Sequence, residues 1–120
     1  MASTTTVVDS YIDAWNERDP DARRALVATT FADDADYVDP LMSGHGIAEI
    51  DAMIAAAQQQ FPEHVFTLAA GPDEHNGRVR FSWTLAPWDT GEPVAGGTDF
   101  ALLGDDGRLR SVAGFLDPVD

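Results

Sequence analysis

Val79, Phe81, Trp83 and Leu85 alternate with Arg78, Arg80, Ser82 and Thr84. Successive side chains of a strand point to opposite faces, so this period of two describes a half-buried antiparallel strand in a sheet with one dry face and one wet face. A sheet of that kind needs a cover, and the first half of the chain provides one. From Ser3 onward Val7, Val8, Tyr11, Ile12 and Trp15 recur at three- and four-residue spacing, which gathers them on one face of a helix. Asp19 and Pro20 have the capping and first-turn chemistry for a second, shorter helix running to about Ala28, with Leu26 facing inward. Ile47, Ile50, Met53, Ile54 and Ala57 mark a third helix that ends before "FPEH".

Between the second and third helices, "TTFADDADYVD" reads as a short strand in which Tyr37 and Asp39 share one face and Val38 takes the other, carried toward the interior. "PLMSGHG" reads as a loop from its proline and glycines. After the third helix "HVFTLAA" closes at Gly71-Pro72, the alternating strand follows Asn76-Gly77, and "EPVAGGTDFALLG" runs into the hairpin signal Asp105-Asp106-Gly107 before a last strand, "RLRSVAGFL". Helices gathered early and hairpin-linked strands gathered late argue for an α+β fold with helices on one face of a mainly antiparallel sheet, and against a doubly wound parallel one. A chain of 120 residues is read as a single domain, 1–120.

Charge narrows the partners. The 21 acidic residues face only 7 arginines and no lysine, for a formal charge of -14. Such a field repels phosphate backbones and anionic membranes, so neither nucleic acid nor a membrane is expected, and a neutral hydrophobic small molecule suits the chain better. No basic leader or long apolar run is present, which points to a cytoplasmic protein. With no cysteine and no histidines at metal-ligand spacing, neither a thiolate nucleophile nor a metal site is read, and no cofactor is called for.

The order of elements, together with "YIDAWNERDPDARRAL", "FADDADYVDP", the glycine-bearing loop before the third helix and "DDGRLRSVAGF", is similar to the SnoaL-like and ketosteroid-isomerase-like members of the nuclear transport factor 2-like superfamily. The resemblance covers nearly the whole chain and implies the cone-shaped fold of that group, three N-terminal helices packed on a curved sheet. It also implies a small, cofactor-independent isomerase or lyase/cyclase that removes a proton next to a carbonyl, or a non-catalytic binding or dimerisation module of the same fold.

Ketosteroid isomerases use an aspartate base with a tyrosine and a protonated aspartic acid as donors to the developing oxyanion. Matched onto that pattern, the first-helix tyrosine falls on Tyr11, the base of the Asp-Pro phrase on Asp39, and the protonated acid on Asp99 in "GGTDFALL". The further tyrosine that supports the first in that group corresponds to Ile54, which leaves Tyr11 without that partner. Each of the three also has a plainer reading. Asp39 can cap its own loop, Asp99 can pair with Arg80 or Arg110, and Tyr11 can be ordinary core. Trp15, His45, Met53, Phe61, Trp83 and Trp88 are the candidates for a substrate-binding wall, and Phe66 and Phe81 could join them. The resemblance further implies a homodimer through the sheet, with Phe100 and Leu102 on the strand face opposite Asp99.

Overall fold

The computed structural model describes residues 3–118. Three helices come first or between the early strands: α1 (Thr4–Asn16), α2 (Pro20–Thr30) and α3 (Gly46–Gln60). The strands are β1 (Phe31–Val38), β2 (Ser43–His45), β3 (His64–His75), β4 (Arg78–Pro87), β5 (Ala95–Leu103) and β6 (Leu109–Leu116). They form one six-stranded sheet in the order β2-β1-β6-β5-β4-β3. All neighbours are antiparallel except β1 and β6, which run parallel. The helical layer covers one face of the sheet, the α+β arrangement expected from the order of periods. Among the described residues no helix is long and apolar enough to cross a membrane.

Local chemistry accounts for the helix ends. The Ser3 hydroxyl accepts from the Thr6 amide at 3.1 Å, and the Asp19 carboxylate accepts from the Ala22 amide at 2.9 Å with Pro20 in the first turn. Each satisfies an amide that lacks an intrahelical partner. Helix α1 buries Val7, Val8, Tyr11, Ala14 and Trp15, the predicted face. Helix α2 extends two residues past Ala28, and its deepest apolar side chain is Val27, with Leu26 only half-buried beside it. Helix α3 seats Ile50, Met53, Ile54 and Ala57 against the same core.

One side-chain face and three boundaries differ from the sequence reading. Val38 is not interior: it is 52% exposed on the outer face of the sheet, while Tyr37 beside it is 4% exposed. Both are apolar enough for either face, and the pairing of Tyr37 with Val112 on β6 turns the tyrosine toward the helices. The segment read wholly as a loop contains β2, which pairs Ser43, Gly44 and His45 with β1. Strand β3 does not end at Gly71-Pro72 but continues to His75, with register shifts between Leu68 and Asp73 absorbing the interruption. Strand β5 begins only at Ala95. The Asn76-Gly77 hairpin stands as read, with both residues at positive φ, the conformation a tight primed turn requires.

Candidate functional site

Strand register builds the site. Asp99 on β5 pairs with Gly114 on β6, and Val38 on β1 pairs with Ala113, so Asp39, one step beyond β1, reaches the flank of Gly114. A Cβ at position 114 would lie 2.9 Å from Asp99 Oδ1, 3.1 Å from Asp39 Cβ and 3.5 Å from the Tyr37 hydroxyl. Only a bare α-carbon lets the three meet there. Gly97 plays the same part for Trp83, whose indole would sit 2.5 Å from a Cβ at that position.

From the helical side Tyr11 completes the group. Its hydroxyl donates to Asp99 Oδ2 at 2.7 Å in a fully buried hydrogen bond. The Tyr37 hydroxyl donates to Asp39 Oδ2 at 2.6 Å, and Asp39 Oδ1 accepts from the amides of Leu41 at 2.8 Å and Met42 at 3.0 Å. Asp39 therefore does cap its own loop, as the plainer reading had it, while also facing the cavity. Asp99 pairs with neither Arg80 nor Arg110: Arg80 binds Asp73, and Asp99 meets Tyr11 instead.

Asp99 is 1% exposed, and its Oδ1 has no hydrogen-bond partner. Burial pushes its carboxyl up to about 6, against the opposing pull of the Tyr11 hydrogen bond and the nearby Trp83 indole, with the Asp39 and Asp117 charges adding to the rise. The indole of Trp83 comes close without forming a hydrogen bond that satisfies Oδ1. Burial, and then the Asp99 charge, raise the Tyr11 and Tyr37 hydroxyls far above the usual phenol range, so both remain protonated donors.

A cavity of about 120 Å³ opens beside these groups. Tyr11, Tyr37 and Asp39 give it a polar end, and Trp15, Phe61, Phe66 and Trp83 provide its aromatic wall. No basic side chain contributes to the lining. Asp99 lies behind Tyr11 rather than at the wall, so it reaches the cavity through that hydroxyl.

Of the expected wall residues, Trp15, Phe61 and Trp83 line the cavity and three do not. Met53 is core beneath α3. Trp88 lies past the end of β4 and is 68% exposed. His45 sits on β2 with its ring 2.6 Å from Asp36, a contact that favours its protonated form and holds it outside the cavity. The residue that sequence reasoning passed over is Tyr37. Its signal was available, since a residue two positions before Asp39 on an extended segment shares its face. Among the described residues no group of three or more His, Asp or Glu side chains is placed to hold a metal ion.

A family model for the SnoaL-like domain matches residues 8–112. The chain belongs to the SnoaL-like family. A member from Agrobacterium tumefaciens, described as a proposed isomerase of that family, is 49% identical, with a TM-score of 0.90 over 95% of this chain and 97% of its own. A proposed polyketide cyclase from Sinorhizobium meliloti is 23% identical, with a TM-score of 0.69 over 90% and 92% of the two chains. An NTF2-like protein from Exiguobacterium is 21% identical, with a TM-score of 0.72 over 95% and 100%. The last two similarities speak for the fold alone. No functionally curated protein matches the sequence.

Proposed function

We propose that this SnoaL-like protein performs cofactor-independent proton transfer at a carbon next to a carbonyl, as an isomerase or lyase/cyclase acting on a neutral hydrophobic metabolite of polyketide, steroid or terpenoid type. The observation that carries the reading is the polar end of an otherwise apolar cavity, where Tyr11, Tyr37 and Asp39 stand together with no cation among them. Asp39 takes the proton from carbon, and the electron pair of the broken C–H bond moves into the carbonyl to give an enolate. Asp39 then returns the proton to a second carbon. Tyr11 is the donor to the developing oxyanion. When Asp99 is neutral it donates to the Tyr11 oxygen, and the Tyr11 proton is then free to turn toward the substrate.

One observation favours a second reading, a module that binds a small molecule without turnover. Both oxygens of Asp39 already accept hydrogen bonds, and donors to a carboxylate reduce its basicity. Offering neutral β,γ-unsaturated ketones to the purified protein in deuterated buffer separates the two. Proton transfer requires exchange or conjugation that drops by about 10²–10⁴-fold in Asp39→Asn. Ketones that bind without exchanging overturn it in favour of the passive module. The outer sheet face, where Val38, Phe100 and Phe115 are exposed, suits a second copy of the chain. Sedimentation velocity checks this: a dimer mass is expected, and a monomer at all concentrations rejects it.

A further inference from the structure

The geometry points to Tyr37 as a positioning residue of the site, one that fixes the Asp39 carboxyl group in place at the cavity wall. This rests on the proposed role of Asp39 as base. Tyr37 belongs to no part of the aspartate, tyrosine and acid pattern that the isomerase comparison supplies; its hydrogen bond to Asp39 is a finding of the structure.

The Asp39 carboxyl is gripped from two sides. The loop amides of Leu41 and Met42 hold Oδ1, and the Tyr37 hydroxyl holds Oδ2 at 2.6 Å. Donors on both oxygens set the plane of the group and resist its rotation. Tyr37 itself has little freedom, being 4% exposed with its ring 5.7 Å from that of Trp15. Gly114 leaves room for the Asp39 side chain, since a Cβ there would lie only 3.1 Å from Asp39 Cβ.

No cation takes part in this grip. Among the described residues the Tyr37 hydroxyl is the one side-chain donor to Asp39, and Tyr11 donates to Asp99 instead. Without Tyr37 only the two loop amides, both on Oδ1, would hold the carboxyl group, and Oδ2 could swing away from the cavity. Tyr37 acts on the reaction only through Asp39, by orientation.

Tyr37→Phe tests the assignment, since phenylalanine keeps the ring against Trp15 and removes only the hydroxyl. With the grip released, the kcat for exchange into a neutral ketone should fall by about tenfold or more while KM stays within about twofold, because the carboxyl loses its orientation and the cavity wall keeps its shape. A kcat equal to that of the natural chain overturns the proposal. Should the Phe variant fail to fold, the low-field hydroxyl proton of Tyr37 in the unaltered protein provides a second measurement: its retention in Asp39→Asn at an unchanged shift would equally overturn it. The two readings fail separately. If no ketone exchanges but the Tyr37 hydroxyl proton moves or is lost in Asp39→Asn, proton transfer is rejected and the hold of Tyr37 on Asp39 stands.

Discussion

Arg23 and Asp51 meet between α2 and α3 at 3.0 Å, while Tyr11 and Asp99 meet between α1 and β5 at 2.7 Å, and both pairs are buried. Around the first, every demand is met. Asp51 also faces Arg24 at 3.4 Å, Arg23 donates to Gln58 at 3.1 Å, and Gln58 in turn donates to the carbonyls of Trp15 and Glu17. Around the second there is no cation, and one carboxyl oxygen is left without a partner. Buried polar groups are ordinarily satisfied because an unmet one costs about 1–3 kcal/mol. The contrast separates a cluster that ties helices together from one that leaves a buried acid half satisfied beside the cavity.

Breaking the satisfied cluster should produce the largest effect. Asp51→Ala strands the Arg23 guanidinium in the interior and is expected to lower unfolding free energy by about 3–5 kcal/mol in urea titrations, leaving any carbonyl exchange by the folded fraction intact. A loss below about 1 kcal/mol, the range of an exposed pair, would erase the contrast from that side.

The unsatisfied cluster should respond with a smaller, pH-dependent effect of the opposite sense. The Asp99 carboxyl lies at about 6 against an ordinary value of 3.8, so folding favours its neutral form. Its stabilising contribution is full below the ordinary value, is lost as pH rises through about 6, and leaves a cost of up to about 3 kcal/mol above that. Asp99→Asn cannot ionise. Relative to the unaltered chain it should therefore gain up to about that amount between pH 4 and pH 7, read from denaturation at each pH. Parallel stability curves would mean that Asp99 is as well accommodated as Asp51.

How much of this was legible in the sequence follows from where the information resides. The α1 face and the alternating β4 strand were readable because each repeats a geometric period over many residues. The relation of Tyr11, Asp39 and Asp99 was readable only by resemblance, since their meeting depends on the registers of β1, β6 and β5. Val38 was misplaced because Tyr37 and Val38 are adjacent apolar residues, and the choice of face was made by the parallel pairing of β1 with β6. Strand β2 has three residues and exists through its partner, so no local pattern announces it. His45, Met53 and Trp88 fall outside the wall because residue type alone does not distinguish a ring or thioether lining a cavity from one in the core or at the surface.

Gly114 gives the site an asymmetric future under mutation. It has no side chain to trim, and every substitution there must add atoms between two acids and a phenol. New ligand shapes would have to be accommodated from the aromatic wall, by exchanging Trp15, Phe66 or Trp83, while the polar end keeps its dimensions.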